Sequence, residues 1–112
     1  MAVNSVTNQI YVANKGSNTM TVIDGGTNTV VATVTVGSNP AAVAVNSVTN
    51  QVYITNRGNG TVSVINGATN TVITTLAAGT SPYGVPVNPV TNQVYVANQS
   101  GSVSVIDGPA IP

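Results

Sequence analysis

The sequence predicts an all-β protein made of repeated units of four short antiparallel strands. The nine residues VTNQIYVAN at 6–14 return as VTNQVYITN at 48–56 and as VTNQVYVAN at 90–98. The chain is also rich in Val, Ile and Thr, whose branched side chains pack well on a pleated strand. Asn, Gly and Pro are frequent between these runs and supply turns. Together these observations predict strands joined by short turns, with almost no helix.

The repeat has a constant period over most of the chain. Asn4, Asn46 and Asn88 are spaced 42 residues apart, and one residue is missing late in the third copy. The chain therefore holds about 2.7 units. Units of roughly 40–45 residues with four strands are typical of β-propeller blades, so we expect a single domain that is a partial propeller. We divide this partial propeller into repeats at approximately 1–42, 43–84 and 85–112.

The second unit shows how each strand is recognised from turn signals. We predict its strands a, b, c and d at 42–45, 51–55, 61–65 and 71–76. The turns between them are short, which favours antiparallel neighbours. In strand b, Val52 and Ile54 point to one face while Tyr53 and Thr55 point to the other, so neither face is clearly polar. A sheet without a polar face is covered on both sides, so we expect each sheet to be stacked between similar sheets.

The unit resembles the YVTN-type β-propeller repeat, named for Tyr-Val-Thr-Asn in its second strand. That motif stands here as YVAN at 11–14, YITN at 53–56 and YVAN at 95–98, and family-like phrases are VIDG at 22–25, TNTV at 27–30 and NPVTN at 88–92. The resemblance covers essentially the whole chain. It implies a propeller fold in an extracellular or cell-surface protein of a prokaryote, such as a surface-layer protein. It implies no single activity, since propellers host many functions.

The number of units raises the question of how a propeller is completed. Propellers of this kind close with about six to eight blades, and the third copy here lacks its outer strand d. We expect a homo-oligomer that closes a ring, or a filament in which a neighbour supplies the missing strand. A third possibility is that the chain is part of a larger propeller. No signal sequence is visible, and because the repeat begins almost at Met1 we expect a mature form or a piece of a longer gene product.

Composition argues against several classes of function. The chain has no His, Cys or Glu, and its carboxylate side chains are Asp24 and Asp107, at a position where the second unit has Asn66. We therefore assign these residues to turns and predict no enzyme, cofactor or metal site. Lys15 and Arg57 are the only basic side chains, which predicts no nucleic-acid binding. No apolar run approaches the roughly 20 residues that span a membrane, so we expect no membrane insertion.

A ligand site, if the protein has one, is expected on the rim formed by the b–c and d–a loops. Both types of loop emerge at the same end of a blade. The candidate rim residues are Lys15, Asn39, Asn56, Arg57, Tyr83 and Gln99. Arginine can grip a carboxylate and tyrosine can stack on a sugar. The alternative is that these are solvated loop residues that keep a nearly uncharged surface soluble.

Two hypotheses of function follow. The first is a non-catalytic structural module of an extracellular or cell-surface protein that completes a propeller or filament by association of chains. The second is a ligand-recognition module that binds a glycan, a peptide or a small acid on the loop rim.

Overall fold

A computed structural model describes residues 1–99 and 101–107. Within these residues there is no helix, and the chain runs as short strands joined by turns. The strands are β1 (Ala2–Asn4), β2 (Gln9–Asn14), β3 (Thr19–Asp24), β4 (Thr29–Thr35), β5 (Pro40–Asn46), β6 (Gln51–Asn56), β7 (Thr61–Asn66), β8 (Thr71–Ala77), β9 (Pro82–Gly84), β10 (Val87–Asn88), β11 (Gln93–Asn98) and β12 (Ser102–Asp107). The predicted all-β class is confirmed.

The strands form three small antiparallel sheets in chain order. The first sheet is β1-β2-β3-β4 and the second is β5-β6-β7-β8. In the third sheet, β9 and β10 lie one after the other along β11, and β12 pairs with the other side of β11. Pro86 separates β9 from β10, because proline has no backbone N–H to donate to a ladder. The described residues end with β12 at Asp107, so the predicted absence of strand d from the third unit lies outside them.

The strands predicted for the second unit are confirmed. Each observed strand from β5 to β8 contains the predicted one and extends it by one to three residues in all. The turns also follow the sequence. Asparagine residues occupy the last position of most four-residue turns with φ near 55–57°, a left-handed conformation that asparagine tolerates better than most residues. They are Asn8, Asn18, Asn28, Asn50, Asn70 and Asn92.

Two apolar layers hold the three sheets together. The first layer joins Tyr11 and Val22 of the first sheet to Val52 and Ile54 of the second. The second layer contains Tyr53 on the opposite face of β6, packed with residues of the third sheet. All six residues of β6 are buried, which confirms that the second sheet is covered on both faces. Burial of each such aliphatic side chain stabilises the fold by about 1.5–3 kcal/mol.

Candidate functional site

The loop rim lies at one end of the three sheets. It consists of the β2–β3 turn at 15–18, the β4–β5 loop at 36–39, the β6–β7 turn at 57–60, the β8–β9 loop at 78–81, and Gln99 with Tyr83 beside them. Backbone hydrogen bonds tie turns to loops: the amide N of Val36 donates to the carbonyl of Asn18 at 3.1 Å, and that of Arg57 donates to Asn39 at 3.0 Å. The predicted convergence of both loop types at one end is therefore confirmed.

Four of the six predicted site residues have exposed side chains on or beside the loop rim. Lys15, Asn39 and Gln99 are exposed, and Tyr83 retains 53% of its accessible surface. Arg57 is half-buried. The rim thus presents the two basic residues and one tyrosine to solvent, in three different sheets. Ligand binding by these residues stays a prediction.

The sixth residue, Asn56, lies beneath the loop rim and is 0% exposed. Its Oδ1 accepts a hydrogen bond from the backbone N of Gly37 at 3.0 Å. Its Nδ2 donates to Oγ1 of Thr61 at 3.1 Å and to Oγ of Ser63 at 2.8 Å. The amide therefore fastens the β4–β5 loop to the end of the second sheet and does not reach the rim surface. The hydroxyl pair at 61 and 63 was a signal in the sequence for this role.

One hydrogen bond joins the rims of the second and third sheets. Nη2 of Arg57 donates to Oε1 of Gln99 at 2.6 Å, across 42 residues of sequence. A shallow cleft of about 290 Å³ lies next to Arg57, between the β6–β7 turn and the β8–β9 loop. Its lining is Arg57, Gly58, Asn59, Gly60, Gly79, Thr80 and Ser81. A guanidinium beside hydroxyl groups can hold a small anion through charge-assisted hydrogen bonds. Sequence reasoning missed the three residues at 79–81.

Asp24 and the equivalent Asn66 take part in turn contacts, whereas the turn predicted after Asp107 lies outside the described residues. Oδ1 of Asp24 accepts from the backbone N of Gly26 at 2.8 Å, and Oδ1 of Asn66 accepts from that of Ala68 at 2.9 Å. The predicted turn role of Asp24 is confirmed. In the part of the chain that the structure describes, no group of three or more His, Cys, Asp or Glu side chains could hold a metal ion. The same part contains no helix long and apolar enough to cross a bilayer.

Two buried tyrosines of the described residues have a raised pKa. Burial raises the pKa of Tyr11 and of Tyr53 above the ordinary value, because an apolar layer disfavours the phenolate. Both side chains pack in the layers between sheets. Their hydroxyl groups are therefore neutral donors at physiological pH, which fits a structural role.

Comparisons with known proteins place the fold. No family model matches the chain. The PE-PGRS family protein PE_PGRS18 of Mycobacterium tuberculosis (strain ATCC 25618 / H37Rv) is 57% identical over 35 residues, which are 31% of this chain and 8% of that protein. Among solved structures, hydrazine synthase of Kuenenia stuttgartiensis is similar with a TM-score of 0.90 and 25% identity, over 95% of this chain and 31% of that chain. Dihydro-heme d1 dehydrogenase NirN in complex with DHE has a TM-score of 0.80 and 19% identity, over 94% of this chain and 23% of that chain.

These comparisons correct one prediction. We expected no enzyme because the chain lacks His, Cys and Glu, but the two solved structures named above, which share the fold, are enzymes. The expectation was wrong because the side chains of these 112 residues say nothing about catalytic residues that other parts of a longer polypeptide contribute. The chain spans less than a third of either enzyme, so this fold forms part of larger catalytic polypeptides. The likeness shows that the described chain has a β-propeller-like, all-β fold.

Proposed function

We propose that the chain supplies consecutive β-propeller blades of the YVTN type to an extracellular or cell-surface protein, and that copies associate through their open sheet faces. The 42-residue spacing of the motifs and the three successive sheets support this proposal. One observation carries it: residues of the second sheet that are fully buried have equivalents on the first and third sheets that are partly or largely exposed.

The open face of the third sheet shows the contrast best. Val62 and Val64 of β7 are 0% exposed because the third sheet covers them. Their equivalents on β12, Val103 and Val105, are 65% and 58% exposed. Tyr95, which lies on the neighbouring strand and is equivalent to the buried Tyr53, is only half-buried. A contiguous apolar face of this kind marks an interaction surface.

The first sheet presents a matching face on the opposite side of the molecule. Ile10, Val12 and Ile23 are half-buried there. Their equivalents in the second sheet are Val52, Ile54 and Ile65, all of which are 0% exposed against the first sheet. The open face of the third sheet is thus equivalent to the face of the second sheet that contacts the third. The open face of the first sheet is equivalent to the face of the second sheet that contacts the first. Packing of the third sheet of one copy on the first sheet of another is therefore a head-to-tail contact.

Repetition of a head-to-tail contact gives either a ring or a filament. Each chain contributes three sheets, so two copies bring six, within the range of about four to eight blades of known propellers. We favour a closed ring of two copies, since closure removes both open faces. A third chain would bring the total beyond the usual range.

The experiment is a measurement of absolute mass by light scattering on a sizing column. We expect a discrete multiple of 11.2 kDa for the natural chain. The double variant Val103→Lys, Val105→Lys should run as a folded monomer, because two charged side chains cannot be covered by an apolar face. Val48→Lys is the matched control, since Val48 is 68% exposed and lies in the equivalent turn of the second sheet, whose two faces are both covered inside the molecule. A natural chain that stays a folded monomer at every concentration would overturn the proposal.

The cleft beside Arg57 favours a second candidate function, recognition of a small acid, a glycan or a peptide on the loop rim. Its support is the placement of a guanidinium, two hydroxyl groups and exposed backbone around about 290 Å³. Calorimetric titration with simple carboxylates and acidic oligosaccharides tests it. Binding that is lost in Arg57→Ala and kept in Lys15→Ala, whose lysine lies outside the cleft, supports this function. Equal binding by both variants contradicts it.

A further inference from the structure

We propose that the head-to-tail contact between copies is held in register by two polar side-chain pairs, Asn88 with Asn8 of a second copy and Gln99 with Lys15 of that copy. The inference rests on the proposed function and specifies how the copies meet. The first pair lies at the end of the sheets opposite the loop rim, and the second lies on the loop rim. The occupant of the open face is accordingly a second copy of this chain.

The inner sheet boundaries show the first pair twice. Nδ2 of Asn4 donates to Oδ1 of Asn50 at 3.0 Å, from the first sheet to the second. Nδ2 of Asn46 donates to Oδ1 of Asn92 at 3.1 Å, from the second sheet to the third. Both donors are 0% exposed, and both bonds join residues 46 positions apart. The same amide pair therefore recurs wherever one sheet packs on the next.

The donor of the next pair in this series is Asn88. Its Oδ1 accepts from the backbone N of Val90 at 3.1 Å and from that of Thr91 at 3.4 Å. Asn46 holds its own turn in the same way, with bonds of 3.1 and 3.3 Å to the amides of the residues two and three positions later. Because the oxygen is fixed by the turn in both cases, the Nδ2 group of Asn88 has the orientation that Asn46 uses to reach the next sheet.

The acceptor that starts the series is Asn8. Its φ of 57° matches the 55° of Asn50 and the 57° of Asn92, the two acceptors inside the molecule. The turn around it is also the same, since the backbone N of Gly25 donates to the carbonyl of Asn8 at 2.8 Å just as Gly67 donates to Asn50 at 2.8 Å. The first sheet therefore presents an Asn8 amide shaped for a donor from a preceding sheet.

The loop rim supplies the second pair. At the boundary between the second and third sheets, Arg57 donates to Gln99. At the boundary between the first and second sheets, the equivalent positions hold Lys15 and Arg57, two like charges that gain nothing from contact. Between copies the same positions bring Gln99 opposite Lys15. A carbonyl oxygen has two lone pairs, so Oε1 of Gln99 can accept from the Lys15 ammonium while it still accepts from Arg57.

Apolar faces alone leave the register of two sheets poorly defined, whereas a buried amide is satisfied in one register only. The two pairs stand at opposite ends of the sheets and so fix both translation and tilt. This gives a clear division of roles, in which the valines and isoleucines supply affinity and the amides select the arrangement.

The test uses the full chain and a dissociation constant from concentration-dependent light scattering. Asn88→Asp keeps an oxygen for the turn, removes the amide donor and places a carboxylate opposite an amide oxygen. We expect association to weaken by about tenfold or more. Asn46→Asp, the matched control, makes the same change at an inner boundary, so it should lower the unfolding midpoint and leave association of the folded chain within about twofold of the natural value.

A second pair of variants keeps the test informative if Asn88→Asp does not fold. Asn8→Gly keeps the left-handed turn and removes the acceptor, so it should weaken association as Asn88→Asp does. The double variant Asn88→Asp, Asn8→Lys should restore association through an ion pair, and the restored association should be sensitive to salt. If the natural chain associates and neither single variant weakens it, the Asn88–Asn8 pair and the register proposed from it are wrong while the proposed function stands. A monomeric natural chain overturns both.

Discussion

The hydroxyl of Tyr53 donates a hydrogen bond to Oε1 of Gln51, two residues earlier on the same strand, at 3.1 Å. Residues two apart in a strand lie on the same face, so the ring packs in the apolar layer while its hydroxyl reaches the first residue of the strand. Tyr11 with Gln9 and Tyr95 with Gln93 repeat the contact at 3.0 and 3.1 Å. The repeated tyrosines therefore have a packing role and a polar role together.

Tyr53→Phe tests the polar role alone. Loss of the hydroxyl leaves Oε1 of Gln51, a residue that is 3% exposed, without this donor. We expect the free energy of unfolding to fall by about 1–2 kcal/mol, measured by urea denaturation. Tyr11→Phe is the control, because Tyr11 is as buried as Tyr53 while its partner Gln9 is half-buried, so water can replace the hydroxyl. Equal losses in the two variants would contradict a burial-dependent contribution.

The buried tyrosines also predict a loss of stability in alkali. Burial raises the pKa of Tyr11 and Tyr53 in the folded state above the ordinary value of 10.0 that applies to the unfolded chain. The unfolded chain therefore releases these protons first, so the contribution of the two tyrosines to stability is constant below pH about 10 and falls as pH rises from there through the raised pKa values. Thermal unfolding across this range measures it. The Tyr11→Phe, Tyr53→Phe double variant should show a shallower decline, and an unchanged slope would exclude these residues as the cause.

Asn56 is predicted to contribute strongly to stability. Asn56→Ala removes the acceptor for the Gly37 amide and the donor for two hydroxyl groups. We expect the free energy of unfolding to fall by about 2–3 kcal/mol in chemical denaturation. Asn14→Ala changes the equivalent residue of the first sheet, which is half-buried and whose Nδ2 bonds Thr19 and Thr21. Its loss should be smaller; a larger loss there would show that the position matters for some other reason.

Gly60 occupies a turn position that side chains do not fit. Its φ is +68°, and a Cβ atom would lie 2.6 Å from the backbone oxygen of Gly79. Gly60→Ala should therefore lower the thermal midpoint, with a loss of about 1–3 kcal/mol. Gly16→Ala is the control, since nothing lies within 4 Å of the added atom, and its effect should stay within about 1 kcal/mol of the natural chain. Equal losses of stability in Gly60→Ala and Gly16→Ala would contradict a steric requirement for glycine at position 60.

Much of the fold could be predicted because its signals are local. The alternation of Val52, Tyr53 and Ile54 assigned side chains to two faces, and the structure places Tyr53 in one layer and the other two in the opposite layer. Asparagine-rich turns marked the strand ends correctly, because the side-chain bonds that fix each turn lie within three residues of the asparagine. Because the motif repeats every 42 residues, each strand and turn assigned in the second unit could be assigned at the equivalent residues of the other units.

The features that could not be predicted depend on contacts between distant segments. Asn56 at the end of a strand suggested a rim residue, but the amide of Gly37, 19 residues earlier, covers it. The cleft combines residues at 57–60 with residues at 79–81, and no local pattern brings these turns together. The break between β9 and β10 had a visible signal, since Pro86 interrupts a stretch that would otherwise be one strand.

The amide pairs that cross the sheet boundaries have a consequence for the conditions in which the protein can work. Asn4 with Asn50, Asn46 with Asn92 and Asn56 with its hydroxyl partners are all uncharged. Dissolved ions screen charges but leave such bonds and the apolar layers between them intact, and none of these groups titrates between mild acid and neutrality. Cohesion of the sheets is thus expected to be nearly independent of ionic strength and of pH between mild acid and neutrality.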